Sequence, residues 1–231
     1  MIPKIIHYCW FGENPRSSLI KKCMKSWKKR LPDHQIKEWN ESNSLFDNPY
    51  VKEAYAQKKW SRLSNFVRLQ ALYQEGGIYL DTDVEVIKSF DPLLGQECFL
   101  GFQVREKHKD WVNNAVMAAV PRHPFVKRCM DFMVDECVRD KFFYVQPELT
   151  TKVLTQMGLK EYGSQKIGGV TLYPVEYFFP FSWEEKFSPN CVKKDTYCIH
   201  HWQNSWGEKL SFRSWIRKLL PYRRVAQIVK P

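Results

Sequence analysis

The stretch that most constrains this chain is Gly76-Gly77-Ile78-Tyr79-Leu80-Asp81-Thr82-Asp83-Val84-Glu85-Val86. Before it, Trp60 to Glu75 places Leu63, Phe66, Val67, Gln70, Ala71 and Tyr73 at helical spacing. The paired glycines stop that helix, because glycine takes the left-handed conformation that a helix C-terminus often needs. A short strand, Ile78 to Leu80, follows; then come two carboxylates one residue apart and a second strand, Val84 to Ile87. Side chains two apart on an extended segment point the same way, so Asp81 and Asp83 can face one spot at a strand end. Crowded carboxylates repel each other unless a cation sits beside them. A hard divalent ion such as Mg²⁺ or Mn²⁺ takes oxygen ligands and keeps room for phosphate oxygens. The bland alternative is a solvated turn, since Asp-Thr-Asp recurs by chance. A strand that reads as buried and ends in paired acids directly after Gly-Gly favours a metal–diphosphate role.

At 231 residues, 44% of them hydrophobic, the chain supports one substantial core. Its net charge of +11 suits nucleic acid, anionic membrane or phosphate-bearing ligands without choosing among them. The seven cysteines form no Cys-x-x-Cys pair, and with no secretory signal the expectation is reduced thiols in the cytoplasm. No apolar run reaches the ~18–20 residues a membrane span needs.

Ile2 to Trp10 reads as a first buried strand that runs into the loop Phe11-Gly12-Glu13-Asn14-Pro15. In α/β folds ligands gather beyond strand C-termini, and Trp10 stands there; packing in the core is its competing role. Ser17 or Ser18 caps a helix through Leu19, Ile20, Cys23, Met24 and Trp27, whose other face carries Lys21, Lys22, Lys25, Lys28, Lys29 and Arg30. That face is either solvated or a contact for membrane or acceptor phosphate. Gln35 to Trp39 is a strand, and Asn48-Pro49 opens a helix through Tyr55. Strand, helix, strand, helix argues for a sheet covered by helices. Ser64, Asn65 and Arg68 lie on the helix before the glycines, with Asn65 and Arg68 three apart on one face. Arg68 suits paired phosphate or sugar oxygens, or an ion pair with Asp81 or Glu85. Further on, Cys98 to Gln103 is a strand, and Asp110 to Ala119 places Asn113 and Asn114 before small apolar residues, for sugar hydroxyls or for a helix cap. Helices from His123-Pro124 through Cys137 and from Glu148 to Met157 precede a late strand, Val170 to Pro174. The run Tyr177 to Phe181 covers part of the core or an acceptor cleft.

The second informative cluster is Ile199-His200-His201-Trp202-Gln203-Asn204-Ser205-Trp206-Gly207. Adjacent histidines on a strand end point to opposite sides, so one of them faces any given site; neutral imidazole is a common metal ligand, and the choice here is His201. The last residues, 208–231, alternate Phe212, Trp215, Ile216, Leu219 and Leu220 with lysines and arginines. They read as a basic amphipathic tail for a membrane interface or as a packed terminal helix.

With these residues in place, the chain resembles the bacterial capsular-polysaccharide glycosyltransferases that carry an Asp-x-Asp sugar-binding motif. Those are related to the yeast initiating mannosyltransferases and to the catalytic domains of large clostridial glucosylating toxins. The likeness runs through Ile2 to Gly12, Arg62 to Glu85, His200-His201 and Ser205-Trp206. It implies a GT-A fold, a Rossmann-like nucleotide-sugar-binding sheet flanked by helices, over residues 1–207, followed by the tail. It also implies a metal-dependent transferase that retains anomeric configuration, uses Mn²⁺ or Mg²⁺, and moves a hexose or N-acetylhexosamine from a UDP-sugar. The acceptor would be a glycan or lipid-linked oligosaccharide at the inner face of the bacterial plasma membrane, with no nucleic acid involved.

Carried over by position, Trp10 would stack on the base, Tyr79 would line the nucleotide pocket, and Ser64, Asn65 and Arg68 would meet the donor. Asp81 would hold the ribose and a metal-bound water. Asp83 would ligate the metal with His201 and Asn204, and the Trp206 indole would cover the leaving oxygen. Asn65 stands where relatives usually have aspartate, so it bonds sugar hydroxyls without charge. Asn114 is the candidate contact near the anomeric carbon, in a front-face route without a covalent intermediate. The competing reading from another class is a non-catalytic basic module that binds membrane or nucleic acid in a salt-sensitive way.

Overall fold

The computed structural model describes residues 1–140 and 146–203. Among them, seven strands form one mixed sheet in the order β2 (Gln35–Trp39), β1 (Ile5–Cys9), β3 (Gly77–Leu80), β6 (Val112–Ala119), β5 (Cys98–Phe102), β8 (Val170–Tyr173), β7 (Gln165–Ile167), and two more form a small antiparallel sheet. Three parallel strands make one half: β1 (Ile5–Cys9), β2 (Gln35–Trp39) and β3 (Gly77–Leu80). Helix α1 (Ser18–Arg30) connects the first two, with Ser17 Oγ accepting the Ile20 N–H at its N-cap. Between β2 and β3 lie α2 (Pro49–Ala56), capped by Asn48, and α3 (Trp60–Glu75). The periodic residues of the sequence therefore form the expected helix over the expected span.

After β3 come β4 (Val84–Val86), β5 (Cys98–Phe102) and β6 (Val112–Ala119). The expected helix-cap alternative at residues 110–119 does not form. All eight residues of β6 are buried, and the strand runs antiparallel to both β3 and β5. A polar start hides this strand from periodicity, because Asn113 and Asn114 bond buried partners rather than water. Then follow α4 (Pro124–Asp140), α5 (Gln146–Gln156), β7 (Gln165–Ile167), β8 (Val170–Tyr173), the single turn α6 (Val175–Phe178) and β9 (Cys198–His200). The tail expected at 208–231 lies outside the described residues, as do Asn204 and Trp206.

The sheet separates two cores. On one side Cys9, Tyr79 and Met117 pack with residues of α2 to α5; on the other Ile6, Tyr8, Ile78, Leu80 and Val116 pack with Ile20 and Trp27 of α1 and with β4 and β9. The switch of side at each successive strand residue is the period-2 alternation of a pleated sheet. It sends Tyr79 under α3 while its neighbours face α1.

The glycine pair does more than end a helix. Gly76 has φ +66° and Gly77 φ +103°; a Cβ on Gly77 would stand 2.6 Å from the Ile5 carbonyl oxygen. The turn is fastened by His7, which accepts the Trp39 indole N–H at Nδ1 (3.0 Å) and reaches the Gly76 carbonyl from Nε2 (2.7 Å). With Nδ1 accepting, Nε2 carries the proton and donates, so the ring is neutral. Burial favours the same state by pushing its pKa down. Because both the backbone angle and the space exclude a side chain, Gly77→Ala should cost roughly 2–3 kcal/mol or more. That corresponds to a melting temperature lower by about 5–10 °C for a chain of this size, which calorimetry would read directly.

Candidate functional site

Asp81 follows the last residue of β3, at the C-terminal edge of the parallel strands, where α/β sheets hold their ligands. Its backbone is pinned on both sides: the Asp81 N–H donates to the Ala115 carbonyl (2.8 Å), and its own carbonyl accepts the Val84 N–H (3.0 Å). The chain therefore turns tightly through Thr82 and returns as β4, which lies in register against β9 with Val84 opposite His200. That pairing brings the second informative stretch of the sequence to the first. Ligand atoms of Asp81, Asp83 and His200 all lie within 4.8 Å of one another. His200 Nε2 is 3.3 Å from Asp83 Oδ1, and the Gln203 N–H donates to Asp83 Oδ2 at 2.7 Å.

Beneath the carboxylates lies Arg68, almost fully buried on α3. One guanidinium nitrogen sits 3.1 Å from Asp81 Oδ1 and also donates to Asn65 Oδ1 (3.3 Å); the other donates to the carbonyl and Oδ1 of Asn114, each at 3.2 Å. Nε donates to the Ser64 carbonyl at 3.3 Å, and the guanidinium lies 4.5 Å from the centre of the Tyr79 ring. Tyr79 in turn donates its hydroxyl to Asp81 Oδ1 (3.0 Å). Ser64, Asn65, Arg68, Tyr79, Asp81 and Asn114, all singled out from the sequence, thus form one connected cluster. The ion pair weighed for Arg68 is the one with Asp81.

The two acids are held differently. Burial raises the pKa of Asp81, Arg68 opposes this, and the neighbouring Asp83 charge raises it further; the net displacement is upward. For Asp83 burial again pushes up, but the His200 charge, its hydrogen bond and the Gln203 N–H outweigh it, leaving the carboxyl below its usual range. His200 shows the reciprocal effect: burial disfavours its charge, but Asp83 prevails and raises its pKa. Two carboxylates and one imidazole make a donor set that fits a divalent ion of the Mn²⁺ type, which accepts both oxygen and nitrogen ligands.

Of the two histidines, the structure brings His200 rather than the expected His201 beside the acids. His200 stands with Asp81 and Asp83, whereas His201 turns to the far side and meets Glu85 (Nε2 to Oε2, 2.9 Å), which also pairs with Lys22 at 2.8 Å. The sequence states that the two rings diverge; which one faces the acids is set by the β4–β9 register, a long-range pairing that no local pattern encodes. Gln203 was also missed, because it acts through its backbone N–H and leaves no side-chain signature. Trp10 joins the α1-side core, with its indole N–H on the Asn14 carbonyl (3.2 Å) and the Arg16 guanidinium 5.5 Å from its ring. None of these contacts ties it to the Arg68 cluster.

Comparison with known proteins gives this arrangement a context. Residues 17–100 match the model described as "Glycosyltransferase sugar-binding region containing DXD motif", and residues 118–218 match "Alpha 1,4-glycosyltransferase conserved region". Lactosylceramide 4-alpha-galactosyltransferase of Pongo pygmaeus is 32% identical over 171 residues, spanning 68% of this chain and 74% of that protein. The chain belongs to the DXD glycosyltransferases. As such it is also similar to inositol phosphoceramide mannosyltransferase 3 of Schizosaccharomyces pombe, 32% identical over 159 residues, 67% of this chain and 42% of the relative. This DXD glycosyltransferase spans about half the length of most of the curated relatives it matches. Among solved structures it resembles the galactosyltransferase LgtC in complex with donor and acceptor sugar analogs, with a TM-score of 0.52 at 14% identity over 87% of each chain. That likeness shows the fold, which is GT-A, as the sequence resemblance implied.

The histidine assignment has a direct check. In calorimetric titrations with Mn²⁺, His200→Ala should weaken binding by about tenfold or more, as the loss of one ligand does, while His201→Ala should bind as the parent does. The reverse order would restore the sequence-based choice.

Proposed function

We propose that this chain transfers a hexose or N-acetylhexosamine from a UDP-sugar to a glycan or glycolipid acceptor, retaining anomeric configuration and depending on Mn²⁺ or Mg²⁺. The observation that carries the reading is the Asp81–Asp83–His200 cluster, set on a GT-A sheet edge directly above a buried arginine. Family membership favours the transferase over the non-catalytic basic module. Retention accords with the relatives named as 4-alpha-galactosyltransferases, since transfer from an α-linked nucleoside diphosphate sugar to an α-glycoside keeps the configuration. A lipid-linked acceptor in surface-polysaccharide synthesis, at the cytoplasmic face of the membrane, extends the sequence resemblance.

Asp81, Asp83 and His200 would hold the divalent ion, which when bound offsets the negative charge that gathers on the departing diphosphate. The protein's own residues fix the geometry around it. Arg68 is aimed by Asn65, Ser64 and Asn114 before any substrate arrives, so its charge needs no reorganisation during reaction. Its pairing with Asp81 offsets part of what burial costs that carboxylate's charge. Asn114, buried beside Arg68 and bonded to it twice, would contact the donor sugar near the anomeric carbon. Asn65 gives its Oδ1 to Arg68; an aspartate there would add a second negative charge against the guanidinium, so the amide leaves Arg68 more strongly positive toward the donor. Trp10, Asn204 and Trp206 keep their proposed roles at the base, the metal and the leaving oxygen.

A panel of nucleotide sugars, assayed for Mn²⁺-dependent hydrolysis and transfer, tests the whole reading. UDP-sugars should turn over, and Asp83→Ala should lower the rate by at least ~10²-fold, the scale of losing a preorganised electrostatic contact. Asp83→Asn should lose most of the activity. Unchanged turnover in Asp83→Ala, or equal rates after chelation, would contradict the metal assignment.

A further inference from the structure

Helix α1 carries a face that the transfer chemistry does not use. Ile20, Cys23 and Trp27 are buried against β4, where the Trp27 indole donates to the Val84 carbonyl at 2.7 Å. At ~100° per residue, the opposite side holds Lys21, Lys22, Lys25, Lys28 and Lys29, all of them exposed. Arg30 adds a further exposed cation at the helix end, and the helix contains no acidic residue. Among the described residues, only Lys22 of this face meets an acid, Glu85. Among the described residues no ion pair forms with Lys21, Lys25, Lys28, Lys29 or Arg30. Some exposed lysines elsewhere are matched, as Lys127 is by Asp131 at 2.6 Å. A stripe about 14 Å long, from Lys21 to Arg30 at 1.5 Å per residue, is thus left with most of its repulsion uncompensated, and an anionic surface complements it.

The position of this face matters as much as its charge. The cap residue Ser17 donates its hydroxyl to Gln203 Oε1 (3.0 Å), the same residue whose N–H holds Asp83. One turn on, Lys22 and His201 share Glu85 Oε2. The helix therefore starts at the rim of the carboxylate site. We propose that the α1 lysine face docks the protein on an anionic lipid bilayer, so that the site opens at the membrane surface where a lipid-borne acceptor lies. The purpose of docking rests on the glycolipid-acceptor reading above. The surface itself rests on the charge geometry alone. An exposed row of lysines along one helix suits many lipid headgroups at once, and clustered lysines gain affinity additively near such a surface.

Co-sedimentation of the full chain with vesicles tests this. Vesicles of phosphatidylcholine containing about one third phosphatidylglycerol, a charge density sufficient for polybasic attraction, are compared with pure phosphatidylcholine vesicles. The protein should bind the anionic vesicles, release as salt rises from 0.1 M toward ~0.5 M, and ignore the neutral ones. Combined Lys21→Gln, Lys25→Gln, Lys28→Gln and Lys29→Gln substitution should weaken partitioning by up to about fivefold per lysine. The matched control Lys107→Gln, Lys152→Gln, Lys160→Gln and Lys166→Gln removes equal charge elsewhere and should bind nearly as the parent does. Hydrolysis of a soluble UDP-sugar should be the same in both variants. Equal loss in both sets would reduce the effect to net charge, and unchanged binding in the α1 variant would remove the surface; either result overturns the proposal. So would tighter binding to a 20-base-pair DNA duplex than to the anionic vesicles at equal phosphate. If vesicle binding follows α1 while no sugar nucleotide is hydrolysed, the docking surface stands and the transferase reading falls.

Discussion

Two carboxylates held a few ångströms apart at the edge of a buried sheet are unstable on electrostatic grounds unless positive charge is built around them. Much of this fold is arranged to supply it. Arg68 comes from below on α3, His200 comes from the side on β9, and the Gln203 N–H closes the third direction. The arrangement divides the two acids. Asp83 is held firmly ionised by an imidazole and an N–H, whereas Asp81 is balanced between burial and a single guanidinium. A divalent cation would relieve the tension that remains, which is why the cluster has the character of a metal site rather than a structural ion pair.

The scaffold reads as preparation for this corner. The glycine pair allows α3 to end and β3 to begin within two residues, so that Arg68 and Asp81 lie one above the other although thirteen residues separate them in sequence. Tyr79 points to the α3 side because strand side chains alternate, which brings its ring against Arg68 and its hydroxyl against Asp81. The antiparallel strand β6 supplies the remaining wall. Its Ala115 carbonyl fixes the Asp81 backbone, while Asn114 orients the guanidinium. Arg68, Asp81 and Asn114 are thus tied to one another through α3, β3 and β6.

What the sequence disclosed and what it withheld follow a physical divide. Local signals were decisive: Ser17 and Asn48 as caps, the helical spacing of α3, the glycine stop and the Asp-x-Asp turn all depend on residues within a few positions of each other. The sheet's long-range pairings were not legible. β6 looked ambiguous because its first residues are amides, and only burial against Arg68 and Gln103 makes them strand-like. The choice between His200 and His201 required the β4–β9 register, since a shift of one residue exchanges the two rings. Trp10 keeps both of the roles left open by its place at a strand end: it packs in the α1-side core, and its ring also meets Arg16.

The most direct measurement is anomalous diffraction at the manganese edge from crystals of the protein grown with Mn²⁺ and UDP. The account predicts a single strong peak within bonding distance of Asp83 and His200, with the diphosphate beside it and His201 still on Glu85. A peak elsewhere, or a corner that stays empty with both acids turned to solvent, would contradict it.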